Sequence, residues 1–136
     1  MTVYCFDTDV LSAIMRCDQP LHLVRRLAAT APADQCTTAV TLGELVYGAT
    51  RARSAKLARQ IQTLVIEALS VVPFDTTAAE VYGTLRASLE ESGRRLAEPD
   101  LRIASIALAR ELTLVTGNVR HFARIPDLSV EDWLRA

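Results

Sequence analysis

Lysine is almost absent from this sequence: Lys56 stands alone against fourteen arginines. Arginine suits bidentate contact with phosphate, but a GC-rich genome gives the same bias, so the preference alone leaves both causes open. Nor is there an excess of one sign. With 15 basic and 16 acidic residues the formal net charge is −1, which excludes a global basic field and confines any polyanion binding to a local patch. Cys5, Cys17 and Cys36 are odd in number and form no C-x-x-C pair, which argues against a disulfide scaffold or a zinc knuckle. They read as reduced, mostly buried thiols. No run approaches the ~18 apolar residues of a membrane span, and the amino terminus enters a strand without a charged-then-apolar leader. A soluble, cytoplasmic protein with no membrane partner is expected. Repeats, low-complexity tracts and linkers are missing too, and 136 residues at 50% hydrophobic fit a single domain over 1–136.

What is present is an alternation of strand and helix. Val3 to Phe6 is a β-prone run ended by Asp7, followed by a helix with Val10, Leu11, Ile14 and Met15 on its apolar face and Thr8 or Asp9 as cap. Pro20 opens a second helix whose repeat of Leu21, Val24, Leu27 and Ala28 predicts its buried stripe. Gln35 to Ala39 reads as the second strand. A third helix follows, burying Leu42, Leu45, Val46 and Ala49, with Thr41, Glu44, Gly48 and Arg51 on another face. A long helix from Ser54 to Leu69 leads to a third strand, Val71 to Phe74, which Pro73 places at an edge. Thr76 or Thr77 caps a helix stopped by Gly93. Pro99 opens one that is apolar almost all round from Leu101 to Leu112, hence central. Leu112 to Thr116 is the fourth strand, Gly117-Asn118 a turn, and Leu128 to Val130 a short fifth strand. This alternation predicts an α/β fold of three layers around a mainly parallel sheet of four to five strands.

Three acids occupy places where the pattern calls for apolar or neutral residues. Asp7 ends a buried strand, Glu44 borders the apolar face of a helix containing two glycines, and Asp100 begins the nearly all-apolar helix. Gathered together, such carboxylates repel one another unless a cation neutralises them, and Mg²⁺ or Mn²⁺ is the natural partner for an all-oxygen donor set. Two of these acids, and the neighbouring Asp9, also have an ordinary reading, whereas Asp7 at the end of a buried strand needs a partner. Asp100 suits the dipole of a helix start, Glu44 suits an exposed helix, and Asp9 suits a cap better than a ligand.

The segments Phe6-Asp7-Thr8-Asp9-Val10-Leu11-Ser12, Gly43-Glu44-Leu45-Val46-Tyr47-Gly48, Asp100-Leu101-Arg102-Ile103-Ala104 and Leu114 to Phe122, with the Leu128 to Trp133 tail, span nearly the whole chain. In that order and spacing they resemble the PIN-domain ribonucleases, and within them the VapC-type toxins of toxin–antitoxin pairs. The resemblance implies a PIN-like α/β/α domain with the first and fourth strands adjacent. It implies an endoribonuclease that hydrolyses RNA with a metal-activated water, Asp7, Glu44 and Asp100 holding Mg²⁺ or Mn²⁺. Thr116 and Asn118 would orient the acids or the water. Partners implied are an RNA substrate such as tRNA or rRNA, a VapB-type antitoxin and a second copy in a homodimer; the first two helices are candidates for the exposed apolar surface that antitoxin binding needs.

Two positions depart from the pattern. Asp9 stands where many relatives have Asn, adding a negative charge, and His121 stands where many carry a fourth acid. Histidine brings less negative charge but can hydrogen-bond a phosphate or bind a metal, so one ion or two is left open. Arg94, Arg95, Arg120 and Arg124 flank Asp100 and the fourth-strand turn and are candidate phosphate contacts. Two alternatives remain. One is a catalytically impaired PIN-like module that binds RNA or protein. The other is a haloacid dehalogenase-type phosphatase, whose D-x-D opening Asp7-Thr8-Asp9 fits while only Lys56 could serve as its later lysine.

Overall fold

Short runs of apolar and β-branched residues make five strands, and the computed structural model, which describes residues 1–136, joins them in one sheet. They are β1 (Tyr4–Phe6), β2 (Gln35–Thr38), β3 (Ser70–Val72), β4 (Thr113–Val115) and β5 (Val130–Glu131). All neighbours are parallel and the order is β3-β2-β1-β4-β5. From β1 the chain steps outward to β2 and β3, then returns to the other side of β1 for β4 and β5. The order therefore reverses between β1 and β4, and a crevice opens at the carboxyl ends of those two strands. Tyr4, Cys5 and Phe6 pair with Thr113, Leu114 and Val115, and the Asp7 N–H continues the ladder to the Val115 carbonyl at 2.9 Å.

Seven helices cover the two faces: α1 (Thr8–Ile14), α2 (Leu21–Ala28), α3 (Ala39–Arg51), α4 (Ala55–Ile61), α5 (Thr76–Glu91), α6 (Glu98–Ala109) and α7 (Val119–Phe122). Because alternate residues of a strand point to opposite faces, Phe6 and Val115 pack with Val10, Leu11, Leu23, Leu45 and Ile61 of α1–α4 and with Trp133. Leu114 on the other face meets Leu85, Leu89, Leu101 and Phe122, while Cys5 meets Ile106 and Ala107. Three layers result. Burial on both faces explains why these strands lack a polar alternation, and why α6, seated mid-sheet, buries Leu101, Ile103, Ala104, Ser105, Ile106 and Ala107. Gly93 ends the α5 segment at φ +71, as its stop signal predicts, and Pro73 follows an edge strand. All three cysteines are free, Cys17 exposed and the other two buried. No helix is long and apolar enough to cross a membrane.

Several local expectations are corrected. In α2 the sequence Leu21-His22-Leu23-Val24 offers two stripes, and the core takes Leu23 with Leu27, leaving Leu21 62% and Val24 41% exposed. In α3, Val46 is exposed and Thr41 fully buried, because the Thr38 hydroxyl caps that helix by accepting the Thr41 N–H at 3.0 Å. The cap of α1 is Asp7 rather than Thr8 or Asp9, and that of α5 is Asp75 rather than Thr76 or Thr77. The long helix starts at Ser54 as expected, but its last turn, Gln62–Ile66, widens to a π-helix that exposes Leu64 and Ile66.

Candidate active site

Asp7 is fixed by the strand that precedes it and the helix that follows. It is only 7% exposed. Its Oδ1 accepts the Thr8 N–H at 2.7 Å and its Oδ2 accepts the Thr116 hydroxyl at 2.9 Å. The Thr116 oxygen in turn accepts the Asn118 N–H at 3.1 Å, which leaves its single proton for Asp7. Burial raises the carboxyl pKa from 3.8 to about 6 against the pull of those two hydrogen bonds, and the charges of Asp9 and Asp100 push it further up.

The other acids are each held by a donor of their own. Glu44, reaching from α3, accepts the Thr8 hydroxyl at 2.9 Å on Oε1, so it is joined to Asp7 through one residue. Asp100, in the first turn of α6, meets His121 Nε2 at 2.9 Å through Oδ2. Asp9 does not cap α1. It crosses to the turn after β4, where its Oδ2 accepts the Gly117 N–H at 2.8 Å. Its Oδ1 is buried with no partner. Gly117 permits this approach, since a Cβ there would lie 2.7 Å from Asp9 Oδ2 and 2.9 Å from Leu134 Cδ1.

Asp7, Asp9 and Asp100 thus share one electrostatic neighbourhood, with Glu44 attached through Thr8. No three of the chain's His, Cys, Asp and Glu side chains close round a single point, because each acid turns to its own donor. The arrangement nevertheless fits a hard divalent cation. The donors are all carboxylate oxygens, which suits such an ion; one of them is an orphan away from water and Asp7 is disfavoured as an anion, and a cation would relieve both conditions.

The remaining candidates divide. Asn118 contributes its backbone, donating to Thr116 and accepting the His121 N–H at 3.1 Å, whereas its side chain makes no cap. Arg120 borders a cavity of about 500 Å³ with Gly117, Asn118 and Arg135. Arg124 turns to His121. Arg95 lies in a separate recess with Arg86 and Glu98, and Arg94 is exposed. Sequence spacing misses a cleft of about 550 Å³ beside the acids, lined by Thr8, Glu44, Tyr47, Pro99 and Arg102. Its signal is visible in retrospect: Tyr47 lies one turn beyond Glu44 and Arg102 two residues beyond Asp100. Lys56, which a haloacid dehalogenase-type reading requires as a catalytic lysine, is exposed on α4.

The comparisons with known proteins agree with this fold. The PIN domain family matches residues 4–128. The tRNA(fMet)-specific endonuclease VapC of Salmonella typhimurium is 32% identical over 133 residues, 98% of this chain and 99% of the relative. Among solved structures, VapBC-1 of nontypeable Haemophilus influenzae superposes with a TM-score of 0.87 at 28% identity, covering 98% of this chain and 100% of the other. VapBC-5 of Mycobacterium tuberculosis, described as a member of the VapBC family of toxin-antitoxin systems, gives 0.69 at 30% identity with both chains covered 100%. The parallel sheet and its β1–β4 switch point therefore belong to a familiar frame: the chain is a member of the PIN-domain family, in its VapC ribonuclease branch.

Proposed function

We propose that residues 1–136 form one PIN unit that hydrolyses RNA phosphodiester bonds endonucleolytically with Mg²⁺ or Mn²⁺ held by Asp7, Glu44 and Asp100, and by Asp9 in addition. The observation that carries this is Asp7 itself: buried, pressed by two like charges, and hydrogen-bonded to no basic side chain. When bound, the cation would make a water more acidic and neutralise charge developing on the phosphate.

The chain's own groups prepare that site. The Thr8 N–H and the Thr116 hydroxyl fix both oxygens of Asp7, and the Thr8 hydroxyl ties Glu44 to the same spot. Tyr47, 67% exposed at the cleft, offers a face for stacking a base, and Arg102 offers a guanidinium for a phosphate. Arg120 extends this rim on the β4 side, with Arg94 and Arg95 as outer contacts. Binding by a few such arginines on an acidic protein falls steeply as salt rises.

A VapB-type antitoxin would complete the unit. The exposed Leu21 and Val24 of α2 suit the apolar side of a helical or extended segment, and a basic side chain from it would offset the acid cluster. The exposed Val46, Leu64 and Ile66 are candidates for contact with a second copy.

The test is cleavage of end-labelled RNA by protein freed of any partner. Activity is expected with Mg²⁺ or Mn²⁺. Chelator or Asp100→Asn should reduce it about a thousandfold, in line with the several kcal/mol such metal chemistry contributes, without altering the circular dichroism spectrum. Undiminished cleavage in both cases would remove the mechanism. Metal-independent RNA binding without cleavage would instead favour a binding module.

A further inference from the structure

Arg124, His121 and Asp100 form an unbroken line of side chains ending at the acid cluster. Arg124 Nη2 lies 3.0 Å from His121 Nδ1, and its Nε donates to the His121 carbonyl at 3.2 Å. On the far side of the ring, Nε2 lies 2.9 Å from Asp100 Oδ2. A guanidinium has donors only, so Nδ1 must be the acceptor. The proton of the ring then sits on Nε2 and is donated to Asp100. The ring is also held edge-on against buried Phe122, with centroids 5.3 Å apart and planes at 82°.

Both nitrogens of His121 are therefore engaged. We infer that Arg124 is a positioning residue: through His121 it fixes Asp100 Oδ2, leaves the second Asp100 oxygen for a divalent cation, and withholds residue 121 from the ligand set. The part of this inference that concerns the cation rests on the function proposed above; the bonding pattern of His121 does not. Arg124 then acts on the site from behind rather than as an outer phosphate contact. The hydrogen bonds that orient a metal-binding side chain characteristically change metal affinity by about tenfold or more.

The chain has only His22 and His121, so nitrogen-15 NMR of the imidazoles can be assigned with one variant. In metal-free wild type, His121 is expected as a single Nε2–H tautomer with a hydrogen-bonded Nδ1; in Arg124→Leu the proton stays on Nε2, facing Asp100, and the Nδ1 resonance moves to that of an unbonded ring nitrogen. Mn²⁺ titration by calorimetry should then give binding about tenfold weaker for Arg124→Leu and His121→Ala. Arg124→Lys keeps a donor, and His121→Gln can accept from Arg124 while donating to Asp100, so both should stay near wild type. A wild-type ring protonated on Nδ1, or on both nitrogens, overturns the relay whatever the metal does. Loss of the Nδ1 hydrogen bond in Arg124→Leu with unchanged Mn²⁺ affinity overturns the positioning role. A wild type with the expected tautomer that binds no Mn²⁺ overturns the metal-dependent function and the positioning role together.

Discussion

Phe6 separates two clusters of charge that are built on opposite terms. Its ring packs at 5.4 Å against Trp133, whose indole N–H donates to Glu131 Oε1 at 3.0 Å while Arg26 Nη2 meets the same oxygen at 2.7 Å. The Arg26 guanidinium also lies 4.7 Å above the Trp133 ring. Charge there is closed within the protein, and the cluster clamps the carboxyl-terminal tail to α2 and β1. One residue beyond Phe6, Asp7 meets like charges and only neutral donors. The first arrangement holds the fold together, whereas the second leaves a buried carboxyl with no basic side chain to offset it. Buried charge without internal compensation is the better marker of function.

Three substitutions would break or sharpen that contrast. Trp133→Ala empties a site that is 1% exposed and should cost about 3–5 kcal/mol in urea unfolding, while the folded fraction keeps its cleavage rate. Asp7→Asn should do the reverse, abolishing cleavage while stabilising the metal-free protein. The sign follows from the folded pKa lying above the unfolded one: the native state binds the proton more tightly, so stability from this group is lost as pH rises from 3.8 to about 6. Asparagine is exempt from that loss, so its advantage should be about 3 kcal/mol at neutral pH and fade toward pH 4, as denaturant melts in chelator would measure. Equal stability at both pH values would remove the contrast. Arg26→Gln should have the smallest effect, about 1 kcal/mol, because the ion pair is more than a third exposed and the stacking on Trp133 is modest.

The parallel sheet was legible because strand and helix signals alternate and several segment boundaries carry proline or glycine, whereas the neighbouring of β1 and β4 was expected from the family resemblance and the full strand order needed the structure. Asp7 was legible for a related reason, as an acid closing an apolar strand. Asp9 was not: its partner Gly117 lies 108 positions away, and local rules see only a residue suited to capping. Likewise the apolar stripe of α2 was ambiguous because helical spacing admits Leu21 with Val24 as readily as Leu23 with Leu27, and only the sheet decides between them. His121 was singled out by type and place, yet the state of its ring depends on Arg124, whose direction no spacing rule gives.

The pairing of β1 with β4 rests on three residues in each strand. Sliding one past the other by a single step would bring Val115 or Gly117 opposite Asp7 in place of Thr116, and neither has a hydroxyl to give. An insertion or deletion of one residue between α6 and β4 would therefore take the hydroxyl away from Asp7 even where the chain still collapsed into a sheet of the same order.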